Sequence, residues 1–166
     1  MSEFFKSVKK LAPCYVQDMI SYASIKLHFP HLDIHPSSRI YDPKTCRFGK
    51  GVFINHDARI GPECEIGDYT GVNEHCMLTT GVKVGKYCAI AGNVTMITED
   101  HPIMMPAVSA FAYSGGDYNK AREFAPITIG NDVWIGRNAT ILKGLKIGGG
   151  GSDCSGRGRD KGRGRL

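Results

Sequence analysis

A single tryptophan, no Cys-x-x-Cys pair and no long apolar run: the 166-residue chain lacks the marks of several common classes. Without a Cys-x-x-Cys pair, its six cysteines give no ground for a zinc ribbon or a redox motif. No apolar stretch reaches the length that crosses a bilayer, and the opening MSEFFKSVKK has no apolar signal-peptide centre, so a cytoplasmic protein without membrane partners is expected. The formal charge of +5 suggests nucleic acid at first sight. Five of the basic residues, however, lie between Arg157 and Arg165, so the excess is local and no nucleic-acid partner is expected for the rest. The length suits one domain with one continuous core.

What the chain does have is a strict period. Phe48, Ile54, Ile60, Ile66, Val72, Leu78, Val84, Ile90 and Met96 recur at every sixth position. The slot four residues after each is small or β-branched (Val52, Ala58, Cys64, Thr70, Cys76, Val82, Cys88, Val94) until Asp100 breaks it. A helix repeats at 3.6 residues and a flat strand at 2, and neither yields a strict six. A coil of short parallel strands does, if three hexads make one turn and residues eighteen apart stack on equivalent strands. The expected class is therefore all-β, a parallel β-helix of hexapeptide repeats. Cys64, Cys76 and Cys88 fall in its small interior slot and read as packed neutral thiols.

The phase resumes at Ile129, Ile135, Ile141 and Ile147, displaced by a number six does not divide. An insert, roughly Pro102 to Pro126, therefore projects as one long loop; loops of this length in compact domains tend to be functional or disordered. Upstream, Tyr15, Val16, Met19, Ile20, Ala23 and Leu27 repeat at helical spacing and predict an N-terminal helix closing the first turn. The expected units are a helical cap over 1–33, the β-helix over 34–148 and a Gly/Arg tail over 149–166.

That tail abandons the hexads directly after Ile147. Composition reads it as a disordered basic segment, with RNA as its natural ligand. Back-translation offers another reading. Degenerate codons for Ser152 to Arg163, taken one base later, permit VIAAGAVVTKDV at every codon, and this string puts apolar residues back at marker positions 153 and 159. A one-base slip in the codons of Gly148 to Gly151 would turn a last coil into this tail.

The hexads, a His-Pro pair opening the projecting loop, and the run ITIGNDVWIGRNATILKGLKIG together resemble the hexapeptide-repeat acyltransferases, over about Ile34 to Ile147. The loop after His101, with Val108, Ser109 and Phe111, looks most like the branch of xenobiotic and sugar or polysaccharide O-acetyltransferases. The resemblance implies a left-handed coil, a homotrimer with sites in the grooves between subunits, acetyl-CoA as donor and direct transfer to the hydroxyl of a saccharide or other small-molecule acceptor. It places the end of the donor site in the segment after Ile147, where this chain departs from the pattern.

Among the histidines, His56 and His75 fall at corner positions and read as solvated, and His28, His31 and His35 crowd the helix-to-coil junction as structural groups. His101 ends the hexad begun by Met96, where the scaffold gives way to the loop. Acetyl transfer to an alcohol needs a group that takes the hydroxyl proton, and imidazole can do so near neutral pH; the resemblance gives this role to the histidine of the His-Pro pair, His101. Glu99 and Asp100 precede it, and either is a candidate to orient the ring. The resemblance puts Trp134 on the donor side, against pantetheine or packing a subunit interface, and Gly136 and Gly144 either admit the cofactor or merely turn the coil. Asn73 binds acceptor or oxyanion, or satisfies its own turn. Phe111, Tyr113 and Tyr118 in the insert can stack on an acceptor ring. No metal is expected: a γ-class carbonic anhydrase needs three zinc histidines, and none follows His101. A non-catalytic β-helix scaffold stays open as the alternative.

Overall fold

A computed structural model describes residues 14–101, 106, 107, 109, 112 and 122–148. The hexads wind into a left-handed parallel β-helix whose three flat sheets are each five strands deep. The first sheet stacks β1 (Asp33–Ile34), β4 (Phe53–Ile54), β7 (Gly71–Val72), β10 (Ala89–Ile90) and β13 (Trp134–Ile135). The second stacks β2 (Arg39–Ile40), β5 (Arg59–Ile60), β8 (Met77–Leu78), β11 (Thr95–Ile97) and β14 (Thr140–Leu142). The third stacks β3 (Arg47–Phe48), β6 (Glu65–Ile66), β9 (Lys83–Val84), β12 (Thr128–Ile129) and β15 (Lys146–Ile147).

In most strands the first residue faces out and the second, the hexad marker, faces in, so Ile54, Ile60, Ile66, Val72, Leu78, Val84, Ile90 and Met96 form one buried column system. The third residue after a marker turns the corner in the left-handed region: Asp57, Glu63, Tyr69, His75, Tyr87, Asn93, Asp132 and Asn138, with glycine at 51, 81 and 144. The residue after that is the small slot, which points back into the corner. Several slot residues also donate to a corner carbonyl of the next coil: Thr70 to Gly85 at 2.7 Å, Cys64 to Thr79 at 3.1 Å, Cys76 to Ala91 at 3.0 Å and Cys88 to Gly130 at 3.0 Å. The slot thus selects a residue that is small and able to donate. The described cysteines Cys46, Cys64, Cys76 and Cys88 are free and buried, and burial pushes the Cys64 thiol up to about 11.

Two interruptions set the rest. Asp33 pairs with Phe53, twenty residues on, whereas Arg47 pairs with Glu65, eighteen on; the two extra residues are taken up by a 3-10 turn at Pro43–Thr45. That turn hides the first coil from a strict six-residue count, although Ile34 and Ile40 are buried markers. Higher up, Val84 pairs with Ile129, Ile90 with Ile135 and Met96 with Ile141, 45 apart instead of eighteen, so 27 residues leave the coil and return without shifting any register.

The helix α1 (Cys14–His28) packs on β2 and the 3-10 turn, but not on the face expected. Met19, Ile20 and Leu27 are exposed, and Ile25 with half-buried Tyr22 faces the coil, followed by Phe29 and Leu32, which enter the core. The rotation has a cause: Arg39 on β2 holds Asp18, and the Phe29 ring packs edge-on against Phe48 at 5.0 Å, fixing where the chain joins the first strand. Among the described residues no helix is long and apolar enough to cross a membrane.

Candidate active site

The insert leaves from the end of β11. Two threonines root it. Thr98 is fully buried; its hydroxyl donates to the carbonyl of Thr80 at 2.7 Å and lies 2.8 Å from the Thr79 hydroxyl, which in turn accepts the N–H of Thr98 at 2.9 Å. The outgoing and returning chains then run antiparallel as a short stem. Ala125 donates to Thr98 at 3.0 Å, Glu99 bridges Phe124, and Asp100 donates to Glu123 at 3.3 Å. His101, exposed, is the first residue past the stem.

Charges brace the same stem. Arg122 pairs with Glu99, while Lys143 of the overlying turn reaches Glu123 at 2.5 Å and Asp100 at 3.3 Å. The Glu123 carboxylate, and then Asp100, raise the Lys143 ammonium above its ordinary value. Asp100 is thus turned toward Lys143 and Glu99 toward Arg122.

Beside the stem, on the outer face of the second sheet, lies a hollow of about 390 Å³ lined by Tyr41, Arg59, Met77, Thr79, Glu99 and Arg122 among others. Its floor is the sheet and its wall is the start of the insert. Ile97 and Glu99 both line it, and alternation along an extended chain continues that side at His101. Arg59 and Arg122 make this a hollow suited to an oxygen-rich molecule.

The other sequence-predicted residues divide. Gly144 joins His101 at this corner: at φ +76° it turns the coil directly over the returning chain, donating to Ala125 at 3.2 Å. Trp134 is 78 % exposed on the first sheet, away from the stem, in the outward row Phe53, Gly71, Ala89 and Trp134. Gly136 follows it at the next corner, where a β-carbon would meet nothing within 4 Å. Asn73 shares that corner, and its amide donates to the Ile90 carbonyl of the next coil at 2.9 Å. Phe111, Tyr113 and Tyr118 lie outside the described residues. The sequence reading missed Thr79, Thr98, Arg59 and Tyr41. Stacking by eighteen would have set Thr98 over Thr80 and Met77 over Arg59; Tyr41 carries no such signal, because the 3-10 turn breaks the count below it.

No family model matches the chain. A probable macrolide acetyltransferase of Lysinibacillus sphaericus is 37 % identical over 76 residues, which is 40 % of this chain and 42 % of that protein. The putative acetyltransferase YJL218W of Saccharomyces cerevisiae is 31 % identical over 111 residues, 66 % of this chain and 46 % of that protein. The chain thus spans less than half the length of either relative. Among solved structures, AntD, an N-acyltransferase from Bacillus cereus crystallised with dTDP and 3-hydroxybutyryl-CoA, superposes with a TM-score of 0.57 at 16 % identity, covering 72 % of this chain and 67 % of that one. At that identity the likeness is one of fold.

Proposed function

We propose, from the premise that this chain is a hexapeptide-repeat acyltransferase in its coil and its relatives, that it moves an acetyl group from acetyl-CoA to a hydroxyl of a sugar, polysaccharide or antibiotic, with His101 as general base. The observation that carries the reading is the stem: Ile97 and Glu99 at its root line a hollow with two guanidinium groups in its wall, and its last backbone pairing, at Asp100, comes one residue before His101. The acceptor lies in that hollow. His101 takes the hydroxyl proton as the oxygen attacks the thioester carbonyl, and the tetrahedral oxyanion is met by backbone N–H groups. Collapse expels the CoA thiolate, which leaves with a proton from the imidazolium, and no covalent enzyme intermediate is required. Glu99 holds Arg122 and Asp100 shares Lys143 with Glu123, so both brace the stem that carries His101.

The donor side is assigned to Trp134, Gly136 and Gly144. In a homotrimer the exposed Trp134 face and the open corner at Gly136 of one subunit would border the hollow of the next. That arrangement would account for a tryptophan left 78 % exposed on a single chain. Phe111 and Tyr113 would contribute acceptor contacts from the insert, and Asn73 a contact near the groove.

The test is release of free CoA thiol from acetyl-CoA across saccharides, polysaccharide fragments and macrolides. His101→Ala should lower turnover by about 10² to 10⁴ fold with fold and assembly unchanged, the usual scale for a positioned base. Near-wild-type turnover in that variant defeats the assignment, and no turnover with any acceptor, joined to no CoA binding, would favour a non-catalytic scaffold.

A further inference from the structure

At the corner between the first and second sheets, away from the stem, the coil gathers three potential metal ligands on consecutive turns. His56 Nδ1 lies 3.1 Å from Asp57 Oδ2, and His75 Nδ1 lies 3.9 Å from the same oxygen. One ligand atom from each of the three side chains falls within 4.8 Å of the others. We propose that His56, Asp57 and His75 form a binding site for a divalent transition-metal ion of the zinc class, open to solvent on one side.

The backbone holds this set. Asp57 and His75 occupy the same left-handed corner position on successive turns, at φ 57° and 55°, so their side chains leave the coil in parallel. The N–H of His75 donates to the carbonyl of His56 at 3.1 Å, which locks the third member to the first. A tetrahedral ion with bonds of about 2.1 Å wants its ligand atoms about 3.4 Å apart. The 3.1 and 3.9 Å separations bracket that value. The two imidazoles are 42 % and 51 % exposed, which leaves their rings room to turn toward a common point.

The surroundings support a cation. Asp57 brings the one carboxylate of the set, with its Oδ2 at 3.1 Å from His56 Nδ1 and 3.9 Å from His75 Nδ1. Ser37 accepts the N–H of Asp57 at 3.0 Å and lies 2.9 Å from His35, forming a second layer behind the carboxylate. Glu74, next to His75 in the chain, is paired with Arg137 at 2.5 Å, and Arg59 lines the adjoining hollow. Two imidazole nitrogens with one carboxylate suit zinc, copper or nickel rather than magnesium or calcium, which prefer oxygen. The free coordination positions face a second hollow, lined by Asp57, Arg59, His75, Met77 and Thr95, which shares Arg59 and Met77 with the hollow under the stem. An ion there can take water or an oxygen of a bound molecule.

The test is calorimetric titration of the full chain with Zn²⁺, and separately with Mg²⁺, for the wild type and for His56→Ala/His75→Asn. Asparagine keeps the left-handed corner at 75, and circular dichroism checks that the coil is retained. The wild type should bind one more zinc ion per chain than the double variant, or bind it more than about tenfold tighter. Mg²⁺ should give no heat attributable to this site. Zinc should also raise the melting temperature of the wild type more than that of the variant. Equal zinc stoichiometry and affinity in the two proteins, with the variant folded, overturns the site.

Discussion

The hydroxyls of Thr79 and Thr98 lie 2.8 Å apart beneath the root of the insert, and between them they satisfy the Met96 and Thr80 carbonyls and the N–H of Thr98. Thr98 is fully buried although it is polar and sits where the coil is interrupted. The pair does what a further hexad would otherwise do: it ends the strand without leaving a buried polar group unpaired. Among the described residues no buried side-chain nitrogen or oxygen lacks a partner.

Replacing Thr98 by valine keeps the shape and removes the hydroxyl, leaving the Thr80 carbonyl without its donor. The expected loss is about 1–3 kcal/mol of stability, the usual cost of one unsatisfied buried group. If the stem positions His101, the variant should also lose turnover by more than it loses CoA affinity. Urea unfolding with calorimetric CoA titration separates the two effects, and wild-type turnover in a destabilised variant would show that the stem merely supports the fold.

Phe124 covers Gly81, and this contact distinguishes two glycines of similar backbone. Both Gly81 (φ +72°) and Gly144 (φ +76°) turn corners in the left-handed region. A β-carbon at 81 would stand 2.9 Å from the Phe124 ring, whereas one at 144 would make an ordinary 3.5 Å contact with Ala125. Gly144→Ala should cost about 1 kcal/mol, the left-handed penalty alone. Gly81→Ala should cost more and should move Phe124, and with it the bridge to Glu99. Thermal melts of the two variants test this; equal losses would mean that the ring simply swings aside.

Cys64 provides a pH dependence with a definite sign. Burial pushes its thiol from 9.0 up to about 11, so the folded chain holds the proton more tightly than the unfolded one. The stability this provides is complete below about pH 9 and is lost as pH rises toward 11, on the order of 3 kcal/mol in all. Cys64→Ala, which places at this slot the residue found at Ala58, should flatten that part of the curve. Comparing denaturant midpoints of the two proteins at pH 8.5 and 10.5 cancels the lysines and tyrosines they share. Parallel curves would show that Cys64 ionises with little penalty.

The hexad markers were legible because burial leaves one choice of period for a three-sided coil, and Ile54 through Met96 fill the core as the spacing requires. The face of α1 was not. Its apolar residues fit two stripes equally well, and the choice rests on long-range partners, Asp18 with Arg39 and Phe29 with Phe48, which no local pattern announces. The candidate site was legible only in part for a related reason. His101 stands out beside the proline that opens the insert, but Thr98 matters through Thr79 and Thr80, and His75 through Asp57. Those relations appear when the chain is read eighteen residues at a time, as stacked turns rather than single positions.

The same stacking bears on the segment after Ile147. Among the described residues β13, β14 and β15 are the last strands of their sheets. A further coil in register would set position 153 over Ile135, 157 over Ala139 and 159 over Ile141. The string read one base later, VIAAGAVVTKDV beginning at position 152, supplies isoleucine at 153, alanine at 157 and valine at 159, the residue types that the markers and slots below demand. We expect resequencing across the Gly148 to Gly151 codons to reveal a one-base displacement. A chain with the frame restored should melt at a higher temperature and associate less, because strand edges at Ile135 and Ile141 would be paired instead of open. It should also bind CoA more tightly, since the donor groove assigned to Trp134, Gly136 and Gly144 would gain its upper wall. Melting and calorimetric titration of both forms decide the matter. Equal stability and equal CoA affinity would show that the segment after Ile147 adds nothing to the coil, and the Gly/Arg tail would then stand as a native basic segment whose partner, by its composition, is RNA.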